Sequence, residues 1–357
     1  MLGSDVEAIV VAEPDLGGYA TVQELGARFV PIQGVSSTLH PMTHRRARTA
    51  LAQLIAEERP DLVWAHARMA VHLSREIFYK PRTDGVRLAV SLHGLPFGPG
   101  HRSVLHHMSK TIETRHMLRA QPHHIHFLSQ NDCTQYIGVT GPQSGRHRLH
   151  VLGTTSRRDI SCLPALRDGA DQTLRLIMTT RPGYQKNLQE AARIVAALEV
   201  PWKLELYGNG TDDPSLRHTF KRHLGAKVSQ VAFRGPIHDV GAALNRADMY
   251  LMTSRYEGMA IGVHEAFEAG LPLALSAIPG NQLFLETNPY AAGLALGRPS
   301  DSAQKIQRLW LRAKADVHHR ERINKIWRAS FSPEIWGKQA RQMVSEFLER
   351  PLSASLR

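Results

Sequence analysis

The chain alternates apolar runs of strand length with longer helical stretches from one end to the other. This alternation is typical of parallel β-sheets whose strands are joined by covering helices, so it predicts the α/β fold class. The predicted strands of the first half are residues 8–11, 29–32, 62–64, 88–92, 125–128 and 149–152. Those of the second half are residues 174–178, 203–207, 231–233, 249–252 and 273–275.

The length of 357 residues indicates two domains, because an average domain holds about 150 residues. Residues 153–172 are polar and interrupt the alternation, which is typical of a linker. We therefore expect α/β domains over residues 1–160 and 170–331, with a ligand in the crevice at the carboxyl ends of their strands. Ser332 before Pro333 predicts an N-cap that opens a last helix, over residues 332–350.

The composition is that of a soluble globular protein, with 42% hydrophobic and 21% charged residues. No window holds the roughly 18 apolar residues of a membrane-spanning helix, and the first residues lack a signal-peptide pattern, so we expect a cytoplasmic protein. The net charge of +12 favours polyanionic partners such as an anionic membrane surface, nucleic acid or a phosphorylated substrate. Because most basic residues are scattered, a plainly solvated surface explains them as well.

The most informative stretch runs from residue 253 to residue 281, after the strand predicted to end at Met252. A helix is predicted over residues 259–269, since Gly270 and Pro272 are typical of a helix end. The backbone amides at its start are candidates for binding a phosphate, because they lack partners within the helix and the helix dipole favours an anion. These amides belong to Gly258, Met259, Ala260 and Ile261.

Two glutamates lie in this stretch, Glu257 at the mouth of the helix and Glu265 within it. If the chain between them is helical, they lie about 12 Å apart. That separation fits the two ends of a nucleotide sugar better than the closely spaced carboxylates of a glycosidase. In the alternative interpretation, Glu257 is a favourable anion in a first helical turn and Glu265 is solvated.

A second candidate site is the loop after the first strand of the second domain, which contains Arg181 and Lys186. Two cations at the carboxyl end of a strand neutralise a diphosphate leaving group without a metal ion. The alternative is that both are ordinary surface charges.

His93 follows an apolar strand of the first domain directly and is the third candidate, facing the crevice. The chain has 20 histidines, and neither these nor Cys133 and Cys162 show convincing metal-ligand spacing. We therefore predict no metal site. Other motifs fail too: Asp213 stands where a dinucleotide fingerprint needs its third glycine, and no phosphate-loop lysine motif or serine-hydrolase elbow occurs.

Together these segments resemble glycosyltransferase family 4, whose members have the GT-B fold of two facing Rossmann-like domains. The resemblance covers most of the chain, and its key motif is a glutamate, seven residues and a second glutamate, present as Glu257 and Glu265 in EGMAIGVHEAFEAGLP. It implies parallel sheets in both domains and a C-terminal helix that crosses back to the first domain. It also implies a retaining sugar transfer from a nucleotide sugar, with no metal ion and no other cofactor.

The resemblance also implies roles for individual residues. Arg181 and Lys186 would bind the donor diphosphate, Glu265 the ribose hydroxyls, and Glu257 the transferred sugar. His93 in SLHG matches the family's first-domain histidine near that sugar, so His93 and Glu257 are the predicted catalytic residues. The further donor-binding residues are Gly258, Met259, Ala260 and Ile261 with Gly208, Asn209, Phe233, Arg234 and Gly235, in the segments LELYGNG and VAFRGPIHD.

The beginning of the chain departs from the family pattern. Residues 2–14 resemble the second strand of the family and residues 24–32 its third, while Gly17 and Gly18 offer at most a shortened glycine loop. A truncated or misassigned start is the interpretation that we favour, and it leaves activity in question.

The implied acceptor is a glycan or a lipid-linked molecule, and the basic charge would bring a peripheral enzyme to the inner face of the plasma membrane. Nucleic acid is not expected as a partner, since aromatic stacking motifs for single strands are absent. Two alternatives stay open. One is a sugar-nucleotide epimerase or phosphorylase of the same fold, and the other is a degenerate GT-B module that binds polyanions or membrane without catalysis.

Overall fold

The computed structural model describes residues 6–14, 19, 22, 24–35, 40–80, 85–95, 97, 98, 100, 103–156, 158–163 and 172–352. The chain divides into two compact units. The first consists of residues 1–97, 103–153 and 337–357, and the second of residues 98–102 and 154–336. Among the described residues, no helix combines the length and the apolar character needed to cross a membrane.

The elements alternate as the sequence predicts. The strands are β1 (Ile9–Ala12), β2 (Arg28–Pro31), β3 (Leu62–His66), β4 (Arg87–Leu92), β5 (His124–Phe127), β6 (Arg148–Val151), β7 (Leu174–Thr179), β8 (Trp202–Tyr207), β9 (Val231–Gly235), β10 (Met249–Met252), β11 (Leu273–Ser276) and β12 (Ala291–Leu294). The α-helices are α1 (Pro41–Glu58), α2 (Arg68–Ile77), α3 (Ser103–Arg119), α4 (Gln130–Thr140), α5 (Leu188–Ala196), α6 (Pro214–Leu224), α7 (Val240–Arg246), α8 (Ile261–Glu268), α9 (Gln282–Thr287), α10 (Pro299–Ala315), α11 (His319–Phe331) and α12 (Pro333–Leu348).

The first unit contains a parallel pair, β1 with β2, and a parallel four-stranded sheet in the order β3-β4-β5-β6. Its inner strands β4 and β5 are buried because both faces are covered, and Val90 and Ile125 are completely buried. From Gly337 on, helix α12 belongs to this unit. Its Phe347 is fully buried and packs against the rings of Trp64 and His124, at centroid distances of 5.3 and 5.0 Å.

The second unit has one parallel sheet of six strands in the order β12-β11-β10-β7-β8-β9. The central strand β10 is entirely buried and β7 mostly so, which explains why their sequences, MYLM and LRLIMT, are largely apolar. The described part of the segment predicted as a linker packs on this unit. Asn245 Nδ2 donates to the Ser161 carbonyl at 2.8 Å, and the backbone amide of Leu163 donates to Asn245 Oδ1 at 3.2 Å.

The predicted fold class is confirmed: each unit is an α/β arrangement with parallel sheets. Every predicted strand is present, with ends shifted by at most two residues, and β12 is the strand that the sequence analysis missed. The predicted helix over residues 259–269 begins two residues later, at Ile261. Gly17 and Gly18 lie outside the described residues.

A buried polar network lies inside the first unit. The Arg75 guanidinium is fully buried and donates to Glu113 Oε2 at 2.6 Å and to the Tyr136 hydroxyl at 3.3 Å. Tyr136 in turn donates to Glu113 Oε2 at 2.9 Å. Burial tends to lower the pKa of Arg75, but Tyr136 and Glu113 outweigh it and raise that pKa, so the cation is held firmly.

We expect Arg75→Met to lower the free energy of unfolding by about 3–5 kcal/mol, because it leaves a buried carboxylate unpaired. Urea denaturation followed by circular dichroism measures this change. The matched control is Arg87→Met, since Arg87 pairs with Glu349 at the surface and its loss should leave stability nearly unchanged. Equal effects of the two substitutions would contradict the assignment.

Candidate functional site

The predicted donor residues of the second unit collect along one edge of its sheet. Strand β7 pairs in parallel with β8 and with β10, so the carboxyl ends of these three strands lie side by side. Lys186 follows β7, Gly208 follows β8 and Glu257 follows β10. In parallel α/β sheets this edge is where ligands bind.

The best-defined contact at this edge joins Lys186 to Glu257. Lys186 Nζ donates to Glu257 Oε1 at 2.7 Å, and Gln185 Nε2 donates to Glu257 Oε2 at 3.2 Å. The Glu257 side chain is only 8% exposed, so this charge-assisted contact is sheltered from water. Arg181 is exposed in the same loop.

The backbone around Lys186 is fixed by the loop that follows β10. Asn187 has a left-handed conformation, with φ of 51°, and lies at the N-cap position of α5. Arg255 Nη2 donates to Asn187 Oδ1 at 2.7 Å, and Thr253 Oγ1 donates to the Asn187 carbonyl at 3.2 Å. These bonds couple the two loops from which Lys186 and Glu257 project. No local sequence pattern indicates this role for Arg255 or Asn187.

Helix α8 begins at Ile261, and Gly258, Met259 and Ala260 form the turn before it, with Ala260 at the N-cap. No side chain caps this helix. Helix geometry leaves the first backbone amides, those of Ile261 and Gly262, without partners inside the helix. Met259 is buried, and its Sδ accepts from the backbone amide of Thr154 at 3.2 Å.

Glu265 lies on α8 and is buried, with 7% of the residue exposed. Arg158 Nε donates to Glu265 Oε1 at 2.9 Å. Burial raises the pKa of Glu265, and the charge of Arg158 opposes that rise. The alternative of a solvated Glu265 is therefore wrong. Arg158 was missed because it lies in the polar segment predicted to be a linker.

The loops after β8 and β9 are held together by backbone contacts. Gly208 has φ of 130°, and its amide donates to the Gly235 carbonyl at 2.8 Å. A side chain at this glycine would collide with the Thr180 carbonyl. Phe233 packs edge-on against Phe220 of α6 at 5.5 Å.

The remaining predicted residues of these loops are exposed. Arg234 pairs with Glu205 at 2.8 Å, and Asn209 lies in the turn after β8.

Two glycines allow close packing at this edge of the sheet. A Cβ on Gly262 would collide with Thr179 Oγ1 and lie 2.6 Å from the Tyr250 hydroxyl. A Cβ on Gly280 would collide with the Glu257 carbonyl and lie 2.6 Å from the Gly258 carbonyl. The turn containing Gly280 therefore supports the turn of Glu257 directly.

His93 belongs to the first unit and directly follows β4. Its side chain is exposed, and its Nε2 lies 3.2 Å from His66 Nδ1.

Residues 174–312 match the family model described as "Glycosyl transferases group 1". The resemblance found in the sequence is thus confirmed for this part of the chain at the level of group 1 glycosyltransferases. Membership of family 4 stays a prediction. The sequence matches none of the curated proteins.

Several solved glycosyltransferase structures have a similar fold. HepE of Anabaena in complex with UDP-glucose has a TM-score of 0.71 and 18% identity, covering 95% of this chain and 92% of HepE. A glycosyltransferase of Rickettsia africae has a TM-score of 0.72 and 14% identity, covering 97% and 91%. The lipopolysaccharide outer core galactosyltransferase WaaB has a TM-score of 0.67 and 15% identity, covering 93% and 88%.

The neighbours are GT-B glycosyltransferases, and both units here are Rossmann-like, with parallel sheets covered by helices. At these identities the likeness concerns the fold alone.

We expect Gly280→Ala to lower the free energy of unfolding by about 1–3 kcal/mol, because the added methyl group forces the Glu257 turn to move. Thermal unfolding of both proteins measures the loss. Gly183→Ala is the matched control in the same unit, since a Cβ there meets no atom within 4 Å and should change stability by no more than about 0.5 kcal/mol. A Gly280→Ala variant as stable as that control would rule out the close contact.

Proposed function

We propose that this protein is a retaining glycosyltransferase that moves a sugar from a nucleotide-sugar donor to a glycan or a lipid-linked acceptor, without a metal ion. The observation that carries the proposal is the sheltered Lys186–Glu257 contact, on the sheet edge that also holds Arg181. The match of residues 174–312 to the group 1 glycosyltransferases also supports the proposal.

In this proposal the donor diphosphate meets Arg181, Lys186 and the first amides of α8. Lys186 gives one of its N–H groups to Glu257 and keeps two for phosphate oxygens. The helix dipole adds partial positive charge at the same place. Together these groups stabilise the negative charge that develops on the leaving diphosphate. A metal ion is not needed for that task.

Glu257 and Glu265 accept hydroxyl hydrogen bonds in this proposal, Glu257 from the transferred sugar and Glu265 from the ribose. Both carboxylates are held by cationic or amide donors and are nearly buried, so their positions are fixed before the donor binds. The peptide groups of Gly208 and Gly235, with Asn209, Phe233 and Arg234 beside them, form the loops nearest the base. His93 and Glu257 are the catalytic residues of this proposal.

For the acceptor we propose a glycan or lipid-linked molecule, as in polysaccharide biosynthesis, and a peripheral contact with the inner face of an anionic membrane. The net charge of +12 supports this contact, since basic residues are attracted to anionic headgroups. We also propose a cytoplasmic location, because the inner face of the membrane is the anionic one. UDP-glucose is the first donor to test, because it is bound in the similar HepE structure.

We expect Glu265→Gln and Lys186→Met each to weaken donor binding by about 10- to 100-fold, because each substitution removes a hydrogen bond to a charged group. Calorimetric titration with UDP-glucose, followed by other nucleotide sugars, measures the dissociation constant. Glu286→Gln is the matched control, since Glu286 is an exposed glutamate of the same unit. Failure of every donor to bind, or binding by Glu265→Gln as tight as by the unchanged protein, would exclude the proposed donor site.

We also expect the product to keep the anomeric configuration of the donor sugar. Proton NMR of the purified product measures this configuration. Addition of Mg²⁺ or Mn²⁺ to chelator-treated protein should leave the rate unchanged. An inverted product would contradict retention, and a metal-dependent rate would contradict the proposed role of Arg181 and Lys186.

The same assays distinguish the alternative enzymes of this fold. A changed sugar nucleotide without acceptor identifies an epimerase, and dependence on inorganic phosphate identifies a phosphorylase.

A further inference from the structure

Three side chains that commonly bind metals meet where α1 packs against α2 in the first unit. His44 comes from α1, while His72 and Glu76 come from α2, one turn apart on the same face. His44 Nε2 lies 2.9 Å from Glu76 Oε2, and His72 Nε2 lies 3.5 Å from Glu76 Oε1. One ligand atom from each residue lies within 4.8 Å of the other two.

We propose that His44, His72 and Glu76 form a binding site for a divalent transition-metal ion, with Zn²⁺ as the ion that fits best. Two imidazoles and one carboxylate are a preferred ligand set of zinc. The site does not depend on the proposed sugar transfer, because it uses none of the residues assigned to the donor.

The distances suit a tetrahedral ion. Zinc bonds of about 2.0–2.2 Å to nitrogen and oxygen place neighbouring ligand atoms roughly 3.3–3.5 Å apart. The separation of 3.5 Å between His72 Nε2 and Glu76 Oε1 already has this value, whereas His44 Nε2 lies 2.9 Å from the other oxygen, Oε2. The carboxylate must therefore turn so that one oxygen faces both rings. The three side chains are 19–30% exposed, so the fourth position is open to a water molecule.

A hydrogen-bonded chain behind His72 orients it for this role. His72 Nδ1 lies 2.6 Å from His116 Nε2, and His116 Nδ1 lies 3.0 Å from the Tyr79 hydroxyl. Metal-binding histidines usually donate their second ring N–H to an acceptor, most often a carboxylate, a backbone carbonyl or water, and a ring nitrogen of His116 takes that place here. With His72 Nδ1–H donating to His116, and His116 Nδ1–H donating to Tyr79, the lone pair of His72 Nε2 faces Glu76.

One arginine lies beside the Glu76 carboxylate. Arg48 Nη1 lies 3.3 Å from Glu76 Oε2 and competes for that carboxylate. Its side chain is 45% exposed, so it turns into solvent when an ion binds.

The test is titration of the full-length, chelator-treated protein with Zn²⁺ against a chromophoric chelator, repeated with Co²⁺ to obtain the visible spectrum of a four-coordinate ion. We expect one ion per chain and a rise in the melting temperature. Glu76→Gln and His44→Gln should weaken binding by more than 100-fold, and Tyr79→Phe by about 10-fold, since partners behind a ligand typically contribute 10- to 100-fold. His218→Gln, an exposed histidine of the second unit, is the control and should bind as the unchanged protein does.

Circular dichroism of the metal-free proteins separates loss of the site from loss of the fold, and a folded Glu76→Gln that cannot bind supports the site. The proposal is overturned if the unchanged protein binds neither ion, or if the folded Glu76→Gln and His44→Gln variants bind as tightly as it does. Because the readout is metal binding, neither result bears on sugar transfer.

Discussion

The pairing of β7 with β8 on one side and with β10 on the other is the constraint on which the candidate donor site depends. Lys186 and Glu257 are 71 residues apart in the sequence, and they meet because each follows one of two paired parallel strands. The loops must then leave the same edge of the sheet. The hydrogen bonds from Arg255 and Thr253 to Asn187 fix the remaining freedom between the two loops.

The electrostatics of this edge explain why two cations in the loop after β7 are needed for the proposed function. The contact between Lys186 and Glu257 is close to neutral, so by itself it offers little attraction to a diphosphate. The remaining attraction for a diphosphate comes from Arg181, which is exposed in the same loop, and from the dipole at the start of α8. In the proposed function, Glu257 therefore positions the Lys186 ammonium and also accepts from a sugar hydroxyl.

The fold was largely predictable from the sequence, because buried parallel strands have unbroken apolar sequences that periodicity detects. Strand β12 was missed because its sequence, AAGL, has small side chains, and it is an edge strand beside β11. The later start of α8 has a similar cause, since no capping side chain marks Ala260. The glutamates were visible through their spacing, whereas Arg158 was not. Its contact with Glu265 spans 107 residues and depends on tertiary packing.

The same limit applies to His44, His72 and Glu76. The three ligands are divided between two helices, so only His72 and Glu76 on α2 have a spacing that a sequence can reveal. A histidine and a glutamate one helical turn apart are common on solvated helices. The contact of α1 with α2, and the His116–Tyr79 chain behind His72, distinguish this pair from such helices.

Helix α8 shows how core packing prepares a charged site. His264 precedes Glu265 directly and is completely buried, with its ring edge-on to Phe284 at 4.7 Å and its Nδ1 accepting from Trp327 Nε1 at 3.3 Å. Burial lowers the pKa of His264 to about 3, so the ring is neutral and places no cation beside the carboxylate. Packing on this side fixes the rotation of the helix, and Glu265 is then directed toward Arg158. A carboxylate oriented in this way needs no rearrangement to accept a hydroxyl hydrogen bond, because the core has already immobilised the helix that carries it.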